Sequence, residues 1–397
     1  MTDRSYPLPR TLTPERLGLY GTALASVWLL ICLGAMAKGW WMVNGSGQPL
    51  LSNFLCLWAS GRLALTGLAS ASYDWQAIGQ IELAASAAAP AQAALPWFYP
   101  PTFLLATAPL ALLPYVWSCA VWLLLTGIGY VAVVRAILPH RLTVVLALAA
   151  PPVFINLVET ETGFAVAALI GIALLLLEAR PALAGVALGV LTFKPQLGLL
   201  FPLILLADSR WRAFSSAAAT AILLAALSAS LFGPDAWSAF LHATPATLAA
   251  DAGGDFAAWD SVQTWYSFAS FLGASPVVAW SVYALTAGCS AGAICWLWRA
   301  PVSYNLKAAA ASVGVLLVTP YVMSYDMVVL VVAVAFLIKQ DLATGFRRGD
   351  LAVYLLVLFA PLYPMIAQGL VPLLPLTDSL LLAWILRRAV NARTPGQ

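Results

Sequence analysis

A lysine sits in the middle of a membrane-length apolar run. Leu183–Ala207 contains no other charge, and its remaining polar side chains are Thr192 and Gln196. Lys194 is followed directly by Pro195 and Gln196. A charge at mid-bilayer depth costs roughly 2.5–3.5 kcal/mol on insertion scales. It is retained where it faces a wet cavity, a partner or a ligand. Proline interrupts the helix ladder, and broken backbone at membrane depth survives only against protein or water. The segment predicts a polar site inside an apolar body. The plainer reading of Lys194 is an ammonium paired with a buried carboxylate that fixes helix packing.

The rest of the chain is of the same kind. Of its 397 residues, 62% are hydrophobic and 9% charged, against about 25% charged in soluble proteins. This predicts an all-α polytopic membrane protein, a single integral domain over 1–397. A net charge of +3 is too small to suggest nucleic acid as a partner. Five cysteines form no CxxC pair, and two histidines argue against a histidine metal site. No cofactor and no metal is expected. Sixteen tryptophans suit interfacial belts and sugar-stacking surfaces alike.

Met1–Arg16 is polar and carries Arg4, Arg10 and Arg16, so no cleavable signal peptide is expected. The apolar run Leu17–Ala37 is long enough to span, and the positive-inside rule sends it outward from the cytoplasm. The further candidate spans are Thr102–Leu113, Val116–Ala136, Leu142–Leu157, Phe164–Leu177, Leu183–Ala207, Phe214–Phe232, Pro276–Trp298, Ala308–Val322, Met327–Ile338, Leu351–Ala367 and Leu370–Leu386. Several are short, which gives roughly 11–13 transmembrane or re-entrant segments. Arg210 with Arg212, Arg299 with Lys307, Lys339 with Arg347, and Arg387 with Arg388 read as cytoplasmic anchors, while Arg135 and Arg141 conflict with simple alternation. Two large segments then fall outside. One is 39–97, with an amphipathic interfacial helix at Phe54–Leu65; the other is 233–275, with His242, Asp255 and Asp260. No internal repeat is evident.

Six constellations carry chemistry, each beside a structural alternative. Asn53 opens one, or caps the helix that follows it. Asp74 follows Tyr73, or caps a turn at Trp75. Tyr99-Pro100-Pro101 ends the first outer segment, or simply starts a helix. Glu159 and Glu161 place two carboxylates at the mouth of a span, or are solvated. Lys194-Pro195-Gln196 is the fifth. Tyr325-Asp326 puts an acid near the end of a span, or at the interface.

With these motifs, the chain resembles glycosyltransferase family 87, membrane enzymes of the GT-C superfamily that include polyprenol-phosphate-mannose-dependent α-mannosyltransferases. The resemblance runs from about Leu51 to Tyr325. It rests on Asn53-Phe54 through Gly61, Tyr73-Asp74, Tyr99-Pro100-Pro101, Pro109 through Pro114, Ala184-Gly185, Lys194-Pro195-Gln196, Arg210-Trp211-Arg212-Ala213, and Tyr321 with Tyr325-Asp326. It implies a GT-C fold in a bacterial inner membrane, with the site facing the periplasm. It implies transfer of a sugar, mannose first among them, from a polyprenyl-phosphate-sugar to a lipid-linked or exported glycan, with membrane lipids as surroundings. An acid in the first outer loop acts as general base in such enzymes, and the leaving phosphate needs donors that Lys194, Arg62 or His242 can supply.

Two positions depart from the family pattern. Asn53 stands where an aspartate is usual, and Glu161-Thr162 stands near a usual Gly-Gln. An amide cannot take up a proton as a carboxylate does. The base is then Asp74, Glu159 or Glu161, or the chain is a non-catalytic homologue. Asn53 is left to contact the acceptor, and Tyr99, Gln196, Tyr325 and Asp326 to shape the substrate site. A lipid-linked-sugar flippase is the alternative from another class.

Overall fold

The computed structural model describes residues 13–86, 95, 97–252, 262–366 and 371–393. Arg4, Arg10, Asp255 and Asp260 lie outside these. Among the described residues the secondary structure is helical, with isolated bridges at Trp41, Val43 and Pro49 and no strand. The helices in order are α1 Pro14–Ala37, α2 Asn53–Leu65, α3 Trp75–Ala85, α4 Leu104–Leu110, α5 Tyr115–Ile137, α6 Thr143–Ala149, α7 Pro151–Glu159, α8 Gly163–Leu176, α9 Pro181–Val190 and α10 Leu200–Ala207. They continue with α11 Trp211–Phe232, α12 Pro234–Ala252, α13 Trp265–Phe271, α14 Pro276–Arg299, α15 Tyr304–Val318, α16 Val328–Thr344, α17 Asp350–Phe359, α18 Leu362–Ile366 and α19 Leu374–Arg393.

The chain is an all-α polytopic membrane protein. Among the described residues, five helical stretches have the length and composition to cross a bilayer: 14–37, 115–137, 211–232, 276–299 and 324–344. Six shorter apolar stretches accompany them. Ser324–Thr344 and α15 form the buried centre, while α1, α11 and α14 expose leucines, valines and isoleucines around the outside. In lipid that exposed apolar surface is the expected one, because the solvent itself is hydrocarbon.

Prolines set several boundaries. The stretch expected as one span at Leu142–Leu157 divides into α6 and α7, because Pro151 and Pro152 follow an extended Ala150 (φ −61°, ψ 127°). Leu183–Ala207 breaks as its sequence suggests. α9 ends at Val190, short 3₁₀ turns cover 191–193 and 195–198, and Lys194 between them leaves the helical region (φ −129°, ψ 70°).

Helix α2 differs from expectation. It is not two-faced: Phe54, Leu55, Cys56, Leu57, Ala59, Ser60, Gly61 and Leu63 are all buried, so it is packed into the body on most sides rather than laid over it. Its contact with α4 is close. A β-carbon on Gly61 would stand 2.3 Å from the carbonyl oxygen of Thr107. Arg388, read from the sequence as a cytoplasmic anchor, is buried against Asp341.

Helices α9 and α11 pack closely through small residues. A β-carbon on Gly185 would lie 2.3 Å from the carbonyl oxygen of Ala213 and 2.9 Å from the Ala217 nitrogen. Both atoms are backbone and cannot rotate away. Small residues spaced four apart let helices approach this closely in membranes, and Gly189 continues the stripe against Thr220. Gly185→Val is therefore expected to force the pair apart, at a cost of about 3 kcal/mol or more. A fall in the thermal midpoint of detergent-purified protein, measured by tryptophan fluorescence, checks this.

Candidate active site

The break in the Lys194 helix meets three other irregular segments: the turn 160–162, the stretch 97–103 and the turn 319–327. The turn after α7 is made by Thr160, a non-glycine residue in the left-handed region (φ 53°). Local backbone strain of this kind is tolerated where surrounding contacts over-determine it. Here Glu161 N–H donates to the Asn156 carbonyl (3.3 Å), Gly163 N–H donates to Asn156 Oδ1 (2.8 Å), and Trp122 Nε1–H donates to the Glu161 carbonyl (3.2 Å). Gly163 has no room for a side chain, because its β-carbon would fall 2.2 Å from the carbonyl oxygen of Tyr325. That close approach brings the 319–327 turn against the 160–162 turn.

At the centre, Lys194 Nζ donates to Asp326 Oδ1 (2.7 Å) and to Thr162 Oγ1 (3.2 Å). The pair is buried, with side chains 2% and 0% exposed. The Tyr325 ring flanks the ammonium, 4.6 Å from Nζ to its centroid. Asp326 Oδ2 accepts from Met323 N–H (3.2 Å), which closes its own turn. Glu161 adjoins this pair. Its Oε2 accepts from Thr162 N–H (2.8 Å) and from Tyr99 O–H (3.1 Å). Burial raises the Glu161 carboxyl above the usual range, and the Lys194 charge opposes the rise.

Aromatic rings wall the cluster. Tyr99 packs on Phe103 (4.7 Å between centroids), and Phe103 stacks on Phe193 (4.7 Å). Behind them lies a cavity of about 410 Å³, lined by Phe103, Trp122, Thr126, Ala168, Phe193 and their neighbours. Its walls are almost wholly apolar, and exposed Leu125 and Val190 stand among its lining residues.

Asn53 occupies a different position from the one its capping role implies. Ser52 is the N-cap of α2, its hydroxyl accepting from Leu55 N–H (3.4 Å) and pairing with the Tyr115 hydroxyl (2.9 Å). Asn53 is the first helical residue, and its Nδ2–H donates to Glu159 Oε2 (3.2 Å). Glu159 is half-buried; burial raises its carboxyl, and the Asn53 hydrogen bond opposes the rise.

The structure thus brings together Tyr99, Glu161, Lys194, Tyr325 and Asp326, with the Asn53–Glu159 pair beginning two residues earlier on the same turn. The described contacts do not join the other sequence-derived residues to them. Asp74 is exposed and caps α3, accepting from Gln76 N–H (2.9 Å). Arg62 is exposed over the Trp58 ring (5.7 Å). His242 is exposed and donates through Nδ1 to the carbonyl of Ser238 (2.7 Å). Gln196 is half-buried in the turn after Pro195.

Sequence reasoning did not single out Thr162, Trp122 or Asn156, because neutral side chains carry no charge signal in an apolar run. It also passed over Glu82. That residue is fully buried, with Oε2 accepting from Leu95 N–H (2.8 Å), and burial pushes its carboxyl up to about 7.

Comparison with known proteins adds one positive result. The model of a family described as glycosyltransferase family 87 matches residues 97–320, more than half the chain. No curated protein matches, and no solved structure matches. The matched region holds Tyr99, Glu159, Glu161 and Lys194, while Asn53, Tyr325 and Asp326 lie outside it.

Proposed function

This chain belongs to glycosyltransferase family 87, and from that premise we propose that it transfers a sugar, mannose first among the candidates, from a polyprenyl-phosphate-sugar to a lipid-linked or exported glycan. We place the reaction at the outer face of a bacterial inner membrane, in a GT-C architecture whose outer segments are 39–97 and 233–275. The observation that carries the reading is a buried cluster of ionisable groups at a proline-broken membrane helix, directly beside an apolar cavity. A donor that joins a hydrocarbon tail to a phosphosugar needs that adjacency. The tail requires apolar walls, and the reacting head requires fixed polar groups at their end.

The roles follow from the contacts. Lys194 has three N–H donors; Asp326 and Thr162 take two of them. The leaving phosphate shares the ammonium with Asp326 rather than meeting a free charge. Tyr99 and Glu161 hold the sugar end of the donor through hydroxyl contacts. A carboxylate at the 159–161 turn takes the acceptor proton.

The test is transfer of radiolabelled sugar from polyprenyl-phosphate-mannose in proteoliposomes supplied with a total lipid extract of the host membrane. Wild-type protein is expected to give labelled product, and Glu161→Gln to weaken apparent donor affinity while the protein still folds. Counterflow of labelled lipid-sugar across the bilayer without bond formation would overturn the reading in favour of a flippase.

A further inference from the structure

We propose that Glu159 is the general base of this transferase and that Asn53 is the positioning residue that holds it. The assignment rests on the glycosyltransferase reading and decides among the carboxylates that reading leaves open.

The acids near the site differ in what their oxygens already do. Asp326 is held in the ion pair with Lys194 and closes its own turn through Met323. Glu161 is 4% exposed, and one of its oxygens takes two donors. Glu82 is 0% exposed on α3. Asp74 is a solvated cap. Glu159 alone among these five is half-buried with a single side-chain hydrogen bond, from Asn53 to Oε2. Its Oε1 accepts no hydrogen bond among the described residues. A base must be reachable by the hydroxyl it deprotonates, and it must be held in one orientation before the substrate arrives.

The sequence folds this way for local reasons. Ser52 takes the capping position, which frees the Asn53 side chain to reach across to the 159–161 turn. Asn53 is also the first residue of a 13-residue helix, so the carboxylate it holds sits at the positive end of the α2 dipole. Burial raises this carboxyl, and both features oppose that rise toward the ionised form that a base requires. The charged and titratable groups facing this turn are Glu161 on the turn itself, Tyr99, Lys194, Tyr325 and Asp326.

The step balances without a further reactant. The acceptor O–H proton passes to Glu159 Oε1. The acceptor oxygen then forms a bond to the anomeric carbon of the donor. The bond between that carbon and the phosphate oxygen breaks, and its electron pair leaves with the polyprenyl phosphate beside Lys194.

The experiment exchanges the amide and the carboxylate. Transfer from polyprenyl-phosphate-mannose is measured in proteoliposomes for wild type, Glu159→Gln, Asn53→Ala and the double variant Asn53→Asp/Glu159→Gln, each with its thermal midpoint. Glu159→Gln is expected to lose about a hundredfold or more in turnover. The double variant returns the acid to the other side of the same hydrogen bond and is expected to regain about tenfold over Glu159→Gln. In Asn53→Ala the hydrogen bond that favours the carboxylate is gone, so the acidic limb of the rate profile moves to higher pH. A purely structural role for Asn53 leaves that limb in place and overturns its part.

Wild-type-like turnover in Glu159→Gln overturns the base assignment. So does a double variant that is stable but no faster than Glu159→Gln. If wild-type protein itself transfers nothing, the transferase reading falls and takes this assignment with it, an outcome distinct from the other two.

Discussion

Lys194→Met is expected to lower stability by about 3–5 kcal/mol, because it strands the Asp326 carboxylate where water does not reach. The fall shows as a lower thermal midpoint and poor recovery from the membrane. Lys194→Met combined with Asp326→Asn is the informative variant. It removes both charges at once, and Asn Oδ1 still accepts from Met323 N–H, which now bonds to the aspartate. The double variant is expected to fold near wild-type yield, since a buried ion pair contributes little net stability over a neutral replacement. Transfer activity is expected to stay lost, because the leaving phosphate of the proposed donor then has no cation. A double variant with normal turnover removes Lys194 from the reaction and leaves it a packing residue.

Arg388→Met is expected to destabilise by a similar amount while sparing turnover per folded molecule. Arg388 pairs with Asp341, donates to the Tyr354 hydroxyl (2.7 Å) and lies 3.6 Å from Asp350 Oδ1. Asp350 is further held by Trp384 Nε1–H (2.8 Å) and Arg347 N–H (2.7 Å). Removing one guanidinium leaves two carboxylates buried together, about 3–5 kcal/mol by analogy with broken buried pairs. Arg388→Lys is expected to recover only part of this, because a point charge cannot reach both Asp341 and Tyr354 as the planar fork does. Asp341 lies near the opposite end of Ser324–Thr344 from Asp326, roughly 20 Å away at 1.5 Å per residue. A stability loss with unchanged specific activity separates this latch from the candidate site; equal loss of both would join them.

The sequence showed where a charge was out of place, and not what it touched. Lys194 stood out because an apolar run surrounds it, and Pro195 beside it marked the break that the backbone shows. Its partner is 132 residues away, a separation that no local pattern encodes. The spans were legible from hydropathy, though Pro151-Pro152 divided one that was read as continuous. Helix α2 was misread because Ser60 and Arg62, set among its apolar residues, suggested a wet face. The packing against α4 buries all but its edge. Arg388 was legible as a positive charge, and its burial against two acids was not. Two acids in a basic stretch, Asp341 and Asp350, were the available signal. The cap expected of Asn53 falls to Ser52, one residue earlier, a shift that either polar residue type allows.

The apolar cavity between α5, α8 and α9 has a consequence for how affinities at this protein are measured. On the proposed reading, a recess with exposed Leu125 of α5 and Val190 of α9 among its lining residues fills from the hydrocarbon phase, not from the aqueous one. The governing variable is then the mole fraction of the ligand in the surrounding film, a two-dimensional concentration. Adding more detergent or more carrier lipid at fixed total ligand will slow filling by surface dilution, even though the bulk molarity has not changed.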